Sequence, residues 1–152
     1  MNEETVETVK ASGCAREVSG AQVEFGPGCA GVVRAGGSAT VSKAGALAIV
    51  AGQDMVAERA GGMMMAAGKD LTMSNGGAQL AIVGGKMTIT NGGLQTALIG
   101  GSLEANHSFV GIALSPKTVL GEGSRLLLNL PLAIAFGLAF GAAYALVRAR
   151  KK

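Results

Sequence analysis

Gly20, Gly36, Gly52, Gly68, Gly84 and Gly100 follow one another at intervals of sixteen residues, and Pro116 takes the next place. A fixed period of this kind means that each segment folds as one unit and stacks on its neighbour, which removes most other architectures from consideration. A second register runs beside the first: Gly13, Gly45, Gly61, Gly77 and Gly93, with Cys29 and Phe109 as exceptions. Both sets read as corners, because glycine accepts the φ > 0 of a sharp turn.

Between corners the chain alternates. Leu71-Thr-Met-Ser-Asn-Gly-Gly is answered sixteen residues later by Met87-Thr-Ile-Thr-Asn-Gly-Gly. Apolar and polar residues alternate over four positions in each, the pattern of a strand with one buried face, and Asn-Gly-Gly then breaks the strand. A second apolar run follows, as in Ala46–Ala51, Met63–Ala67, Leu80–Val83 and Thr96–Ile99. Repeated hairpins would also give two strands per period, but they do not require each position to match its equivalent in the next repeat. A solenoid does. Thr8, Thr40, Thr72 and Thr88 share one slot, and Ser12, Gly28, Ala44, Ala60, Gly76, Gly92 and Ser108 are all small at another. Asn75 and Asn91 share a third, where stacked amides are expected.

Composition agrees. Forty-nine per cent apolar residues and 15% charged exclude a disordered chain, and the absence of a three-residue glycine period excludes collagen. Four Phe, one Tyr and no Trp leave little for a core built on large aromatics. The expected fold is therefore all-β: a β-solenoid (parallel β-helix) of six to seven sixteen-residue coils. Its coils are laid out as 7–22, 23–38, 39–54, 55–70, 71–86, 87–102 and 103–118. Residues 1–6 form a lead-in, 7–118 the solenoid and 119–125 a linker. Regularity fails at Leu103–Thr118, where Phe109 and Pro116 replace glycines, as befits a capping coil. In layout the repeat is similar to that of bactofilins, bacterial cytoskeletal β-solenoids, and to haemagglutinin-type Gly-rich coils. The strict sixteen-residue period and the C-terminal apolar segment depart from the usual bactofilin layout.

That segment, residues 126–147, has Asn129 as its one strongly polar side chain and predicts a single C-terminal transmembrane α-helix. Arg125 flanks one end, and Arg148, Arg150, Lys151 and Lys152 form a basic tail at 148–152. The net charge of +3 comes from this tail. Gly137 and Gly141 are spaced for close approach of helices in lipid. Two signals disagree about orientation. The tail charges place the C-terminus in the cytoplasm and the solenoid outside. The start of the chain, however, has no basic region followed by an apolar one, which favours a cytosolic solenoid. Cys14 and Cys29 fall in adjacent slots of neighbouring coils; a bridge is open to them, and free thiols would suit the cytosol.

Catalytic chemistry finds little to work with. His107 is the one histidine and reads as a solvent-exposed corner, the carboxylates are scattered, and no glycine-rich phosphate loop precedes a helix. Met63-Met64-Met65 fits packing better than a soft-metal site, since neighbouring strand residues face opposite ways. No cofactor, metal, nucleic acid or small-molecule substrate is expected, and the chain reads as no enzyme. Both faces of the second strand are apolar, and only one can point inward. The other, carried by Ala48, Val50, Met64, Leu80, Ile82 and Leu98, is expected to be an interface. The function expected is a membrane-anchored scaffold, in contact with membrane lipid, that self-associates as a homo-oligomer. The alternative is an accessory subunit of a larger membrane complex, such as an energy-transducing or virion assembly.

Overall fold

The computed structural model describes residues 8–129, together with 134–135 and 137–139. The chain is a β-solenoid of eight coils. The first two are single long strands, β1 (Thr8–Gly20) and β2 (Gln22–Ala35). Each later coil has a short strand and a longer one: β3 (Ala39–Ser42) and β4 (Ala44–Ala51), β5 (Met55–Glu58) and β6 (Gly61–Ala67), β7 (Leu71–Ser74) and β8 (Gly77–Val83). The same order continues through β9 (Met87–Thr90) and β10 (Gly93–Ile99), β11 (Ser102–Asn106) and β12 (Phe109–Leu114), β13 (Lys117–Leu120) and β14 (Arg125–Asn129). Every pairing is parallel, and the odd and even strands form two sheets joined through β2. At about 4.8 Å per step, eight coils stack to about 34 Å.

The sixteen-residue period holds from Val23 to Leu103, in the row Val23, Ala39, Met55, Leu71, Met87 and Leu103. All six are buried and face a second inner row that includes Ile49, Met65, Ala81 and Ala97. Alternation thus works as the sequence implies: a thin core, filled by Leu, Ile, Val, Met and Ala, with Phe25, among the described residues, the one large aromatic fully inside. Methionine suits this core because its unbranched side chain fills irregular gaps. Among the described residues no charged side chain is buried.

The ends depart from the period. β1 pairs with β2 at an offset of fourteen residues up to Ala11 and fifteen from Gly13, with Gly26-Pro27 set against Ser12. Thr8 therefore lies beside Gln22, outside the threonine row. The shift places Cys14 directly on Cys29, and the two form a disulfide with Cα atoms 4.6 Å apart. Bridging positions fifteen residues apart stabilises by about 3 kcal/mol on the loop-entropy model.

At the other end there is an eighth coil where a linker and the start of a helix were expected. β13 pairs with β11 at an offset of fifteen, β14 returns to sixteen, and the extra residue is taken up by a turn at Gly121–Ser124. Leu126 packs against the core. The coil escapes sequence reading because neither sixteen-residue register supplies it a glycine, Pro116 and Arg125 standing in those places, and because Leu126-Leu-Leu merges with the apolar residues that follow. The solenoid thus runs to Asn129, and residues 126–129 are strand, with no separate linker at 119–125. Most of the remaining segment lies outside the described residues; 134–135 and 137–139 are helical. Among the described residues no helix is long and apolar enough to cross a membrane.

The corners differ from expectation in their cause. The φ > 0 residue between the two strands of a coil is Lys43, Arg59, Asn75, Asn91 or His107, each with φ near +50°, and not the glycines two positions on. Asn tolerates this left-handed region, whereas for Arg or Lys it costs roughly 1–2 kcal/mol. These side chains are exposed, His107 included, and no hydrogen bond joins Asn75 to Asn91 among the described residues. Arg59→Gly should therefore stabilise the fold by about 0.5–1 kcal/mol after allowing for glycine's greater unfolded entropy. Asn75→Gly should do less, and urea unfolding would register the difference.

The glycines of the first register have a different reason to be there. A Cβ at Gly52, Gly68, Gly84 or Gly100 would overlap the carbonyl oxygen of the glycine one coil earlier. Their N–H groups donate to the preceding coil, as from Gly68 to the Ala51 carbonyl oxygen (3.0 Å). Asp54 and Asp70 add to this corner: each accepts a backbone N–H from the coil above, of Asp70 (3.3 Å) and Lys86 (2.7 Å).

Candidate functional site

The two sheets present very different outer surfaces. On the odd-numbered sheet the outward rows are Thr40, Val56, Thr72, Thr88 and Glu104, and beside them Ser42, Glu58, Ser74, Thr90 and Asn106. On the even-numbered sheet β4, β6, β8, β10 and β12 contain no charged residue in any of their positions. Its outward residues form two ladders. One runs Val32, Ala48, Met64, Leu80, Thr96, Ile112 and Leu128. The other runs Arg34, Val50, Ala66, Ile82, Leu98 and Leu114.

The residues expected at an interface therefore stand together: Ala48, Met64 and Leu80 in the first ladder, Val50, Ile82 and Leu98 in the second. Ile82 and Leu98 are 41% and 39% exposed, and the other four are half-buried. Gly137 is helical and exposed, apart from this sheet in the chain. Gly141 and the basic residues Arg148, Arg150, Lys151 and Lys152 lie outside the described residues. Arg125, expected beside a membrane helix, opens β14, in the row of Gly93 and Phe109.

A third outward row is not legible from alternation. The pairing register skips Leu47, Met63, Gln79 and Gln95, and each of these faces out next to its ladder neighbour. Leu47 is 61% exposed and Met63 53%. Met63 and Met64 thus share the outer side, and Met65 alone of the three is buried. The mixture of Leu, Met and Gln at one slot was the available signal, because a core row would not accept glutamine. Phe109, 45% exposed, stands at the margin of the same face.

The charges that do occur on this face are at the first two coils. Glu17 pairs in register with Val32, extending the first ladder, and Ser19 with Arg34, extending the second. Both Glu17 and Arg34 are exposed. The face thus carries no charge over coils three to seven, and its far end bears one acid, Glu17, and two bases, Arg34 and Arg16, the latter exposed at the slot skipped between Ala15 and Glu17.

Other surfaces are less differentiated. An open groove at the φ > 0 corner is lined by Asn75, Asn91, His107, Phe109 and Arg125. Among the described residues no group of three His, Cys, Asp or Glu is placed to hold a metal ion. The two ion pairs among the described residues, Lys10–Glu24 and Lys86–Glu104 (both 2.9 Å), are solvent-exposed links between coils, a class worth little in stability. Comparison with known proteins finds no matching family model, curated protein or solved structure. The likeness to bactofilins is therefore one of layout.

Proposed function

We propose that the chain is a non-catalytic, membrane-anchored scaffold whose solenoid pairs with a second copy through the outer face of the even-numbered sheet. The observation that carries this is the run of five strands without a charge, opposite a sheet dressed in Thr, Ser and Glu. A monomer gains nothing from an uncharged face of that size. Five coils at about 4.8 Å, crossed by strands of seven residues at about 3.3 Å, make about 550 Å². Two copies would then bury about 1,100 Å², above the roughly 1,000 Å² that a specific interface needs.

Self-complementarity favours a second copy over an unrelated partner. A two-fold axis along the solenoid sets each ladder against the other ladder of the partner, at the same height. Ala48 then meets the partner's Val50, Met64 the partner's Ala66, and Leu80 the partner's Ile82. Glu17 comes one coil away from the partner's Arg34, and the pair occurs twice. Parallel pairing also puts both C-terminal segments on one side, as anchoring in one membrane requires.

The anchor is the apolar run 130–147. Its eighteen residues carry no charge and, as a helix at about 1.5 Å per residue, would span about 27 Å, near the roughly 30 Å of a hydrocarbon core. Starting at 130, the run still ends against the basic tail and still contains Gly137 and Gly141.

The test is native mass in mild detergent, on the intact chain and on Leu80→Lys/Ile82→Lys. The intact chain should be a dimer, and the double variant should dissociate, with pairing weakened at least about a hundredfold by four lysines at the centre. Its circular dichroism spectrum should stay unchanged, since both side chains point outward, while its melting falls only by what association contributed. A wild-type monomer, or a complex held only by other subunits, would replace this reading with that of an accessory subunit.

A further inference from the structure

We infer that the solenoid stands on the oxidising, non-cytoplasmic side of its membrane, with the basic tail 148–152 on the cytoplasmic side. The orientation rests on the membrane anchor proposed above; the compartment of the solenoid rests on the disulfide alone.

Two independent features lead there. The first is the Cys14–Cys29 bridge, which takes up both cysteines of the chain and leaves no free thiol. It is not an accident of the repeat. A strict sixteen-residue period would have set Cys29 against Gly13, one position away from Cys14. The register shift at Gly26-Pro27 brings the two cysteines level, and the same row continues as Gly45, Gly61, Gly77 and Gly93, so no other coil repeats the pair. Both residues are exposed, so the bridge is open to the solvent around the solenoid and to any reductant dissolved there. Cytosolic glutathione and thioredoxin keep such thiols reduced, whereas bridges persist in periplasmic, lumenal and extracellular space.

The second feature is the tail. Arg148, Arg150, Lys151 and Lys152 put four positive charges directly after the apolar run. Near its other end, within residues 117–129, stand Lys117, Glu122 and Arg125, a net charge of +1. Lys and Arg close to a span hold that end in the cytoplasm. The charge rule and the redox rule are unrelated in origin, and they select the same orientation. The free thiols that favoured a cytosolic solenoid are not present.

The bridge also has work to do there. Among the described residues β1 is the outermost strand at this end and pairs with β2 alone. A parallel edge of this kind peels most readily, and a covalent link at its centre holds it where no cytosolic chaperone is at hand.

The experiment uses the full chain in membranes of its own host. Alkylation with a maleimide–polyethylene glycol, before and after reduction, should give no gel shift before reduction and a two-site shift after it. In sealed inside-out vesicles, added protease should remove an epitope placed after Lys152 and leave the solenoid intact; in right-side-out vesicles the solenoid should be reached. Free thiols in untreated membranes, or digestion of the solenoid in inside-out vesicles, would overturn the inference. Extraction by alkaline carbonate is read separately. Release of the chain sinks the anchor, while the alkylation result still decides the compartment.

Discussion

Gly68→Ala should lower the melting temperature by roughly 10 °C, and Gly93→Ala should leave it almost unchanged. The two glycines look alike in the sequence, each one of a sixteen-residue series. At Gly68 an added Cβ would overlap the backbone carbonyl oxygen of Gly52, and Gly68 has its own N–H committed to Ala51. No flexible side chain is available to give way, so two coils must part. Overpacking of this kind costs about 3 kcal/mol, which for a chain of this size is about 10 °C. At Gly93 an added Cβ has nothing within 4 Å, and its φ is outside the left-handed region. There alanine is neutral, or stabilising by about 0.4–1 kcal/mol through the unfolded chain. Circular dichroism melts of both variants decide the matter. Equal losses would mean that the two registers do the same job, and the steric account of the first would fail. Nothing in the packing of the chain itself requires glycine at 45 or 93.

The contrast marks how far the repeat could be read. Period and alternation are local properties, and they gave the parallel stack, the inner rows and the apolar outer ladders. Asn75 and Asn91 were placed at their corner because Asn-Gly-Gly is a breaker wherever it occurs. What local properties do not carry is the cause of each glycine, since crowding against the coil below and a left-handed φ leave the same residue in the sequence. Lys43 and Arg59 occupy the left-handed slot without any signal of their own; neighbouring coils hold them there. Nor do local properties carry register shifts. Moving β1 by one residue aligns Cys14 with Cys29, and moving β13 by one lets an eighth coil form from residues that resemble linker and membrane helix. Both shifts occur at the first and last of the described coils, where pairing among the described residues enforces the period from one side only. The outer row of Leu47 and Met63 was hidden for a related reason: strict alternation assigns them inward, and only the kink stacked through all coils turns them out.

Leu71→Ala should cost about 3 kcal/mol and, more tellingly, should divide the molecule. Leu71 is fully buried in the fifth coil, between Met55 and Met87 of the adjacent coils. Leu-to-Ala losses in cores run from about 2 to 5 kcal/mol, according to how far the surroundings collapse. Methionines on both sides can lean into the gap, which sets the figure in the lower half of that range. In a globular core such a loss is shared by the whole domain. In a solenoid each coil touches only its neighbours, and stability is a sum of coil and interface contributions. The deletion weakens the two interfaces of one coil and leaves the others as they were. Native-state hydrogen exchange should therefore rise first in coils four to six. Coils one and two, tied by the disulfide, should remain the most protected part of the N-terminal half. Urea unfolding should broaden, because segments of four and three coils now melt apart. A uniform rise in exchange from Thr8 to Asn129 would count against this, and would mean that the eight coils form a single cooperative unit in which the middle has no separate role.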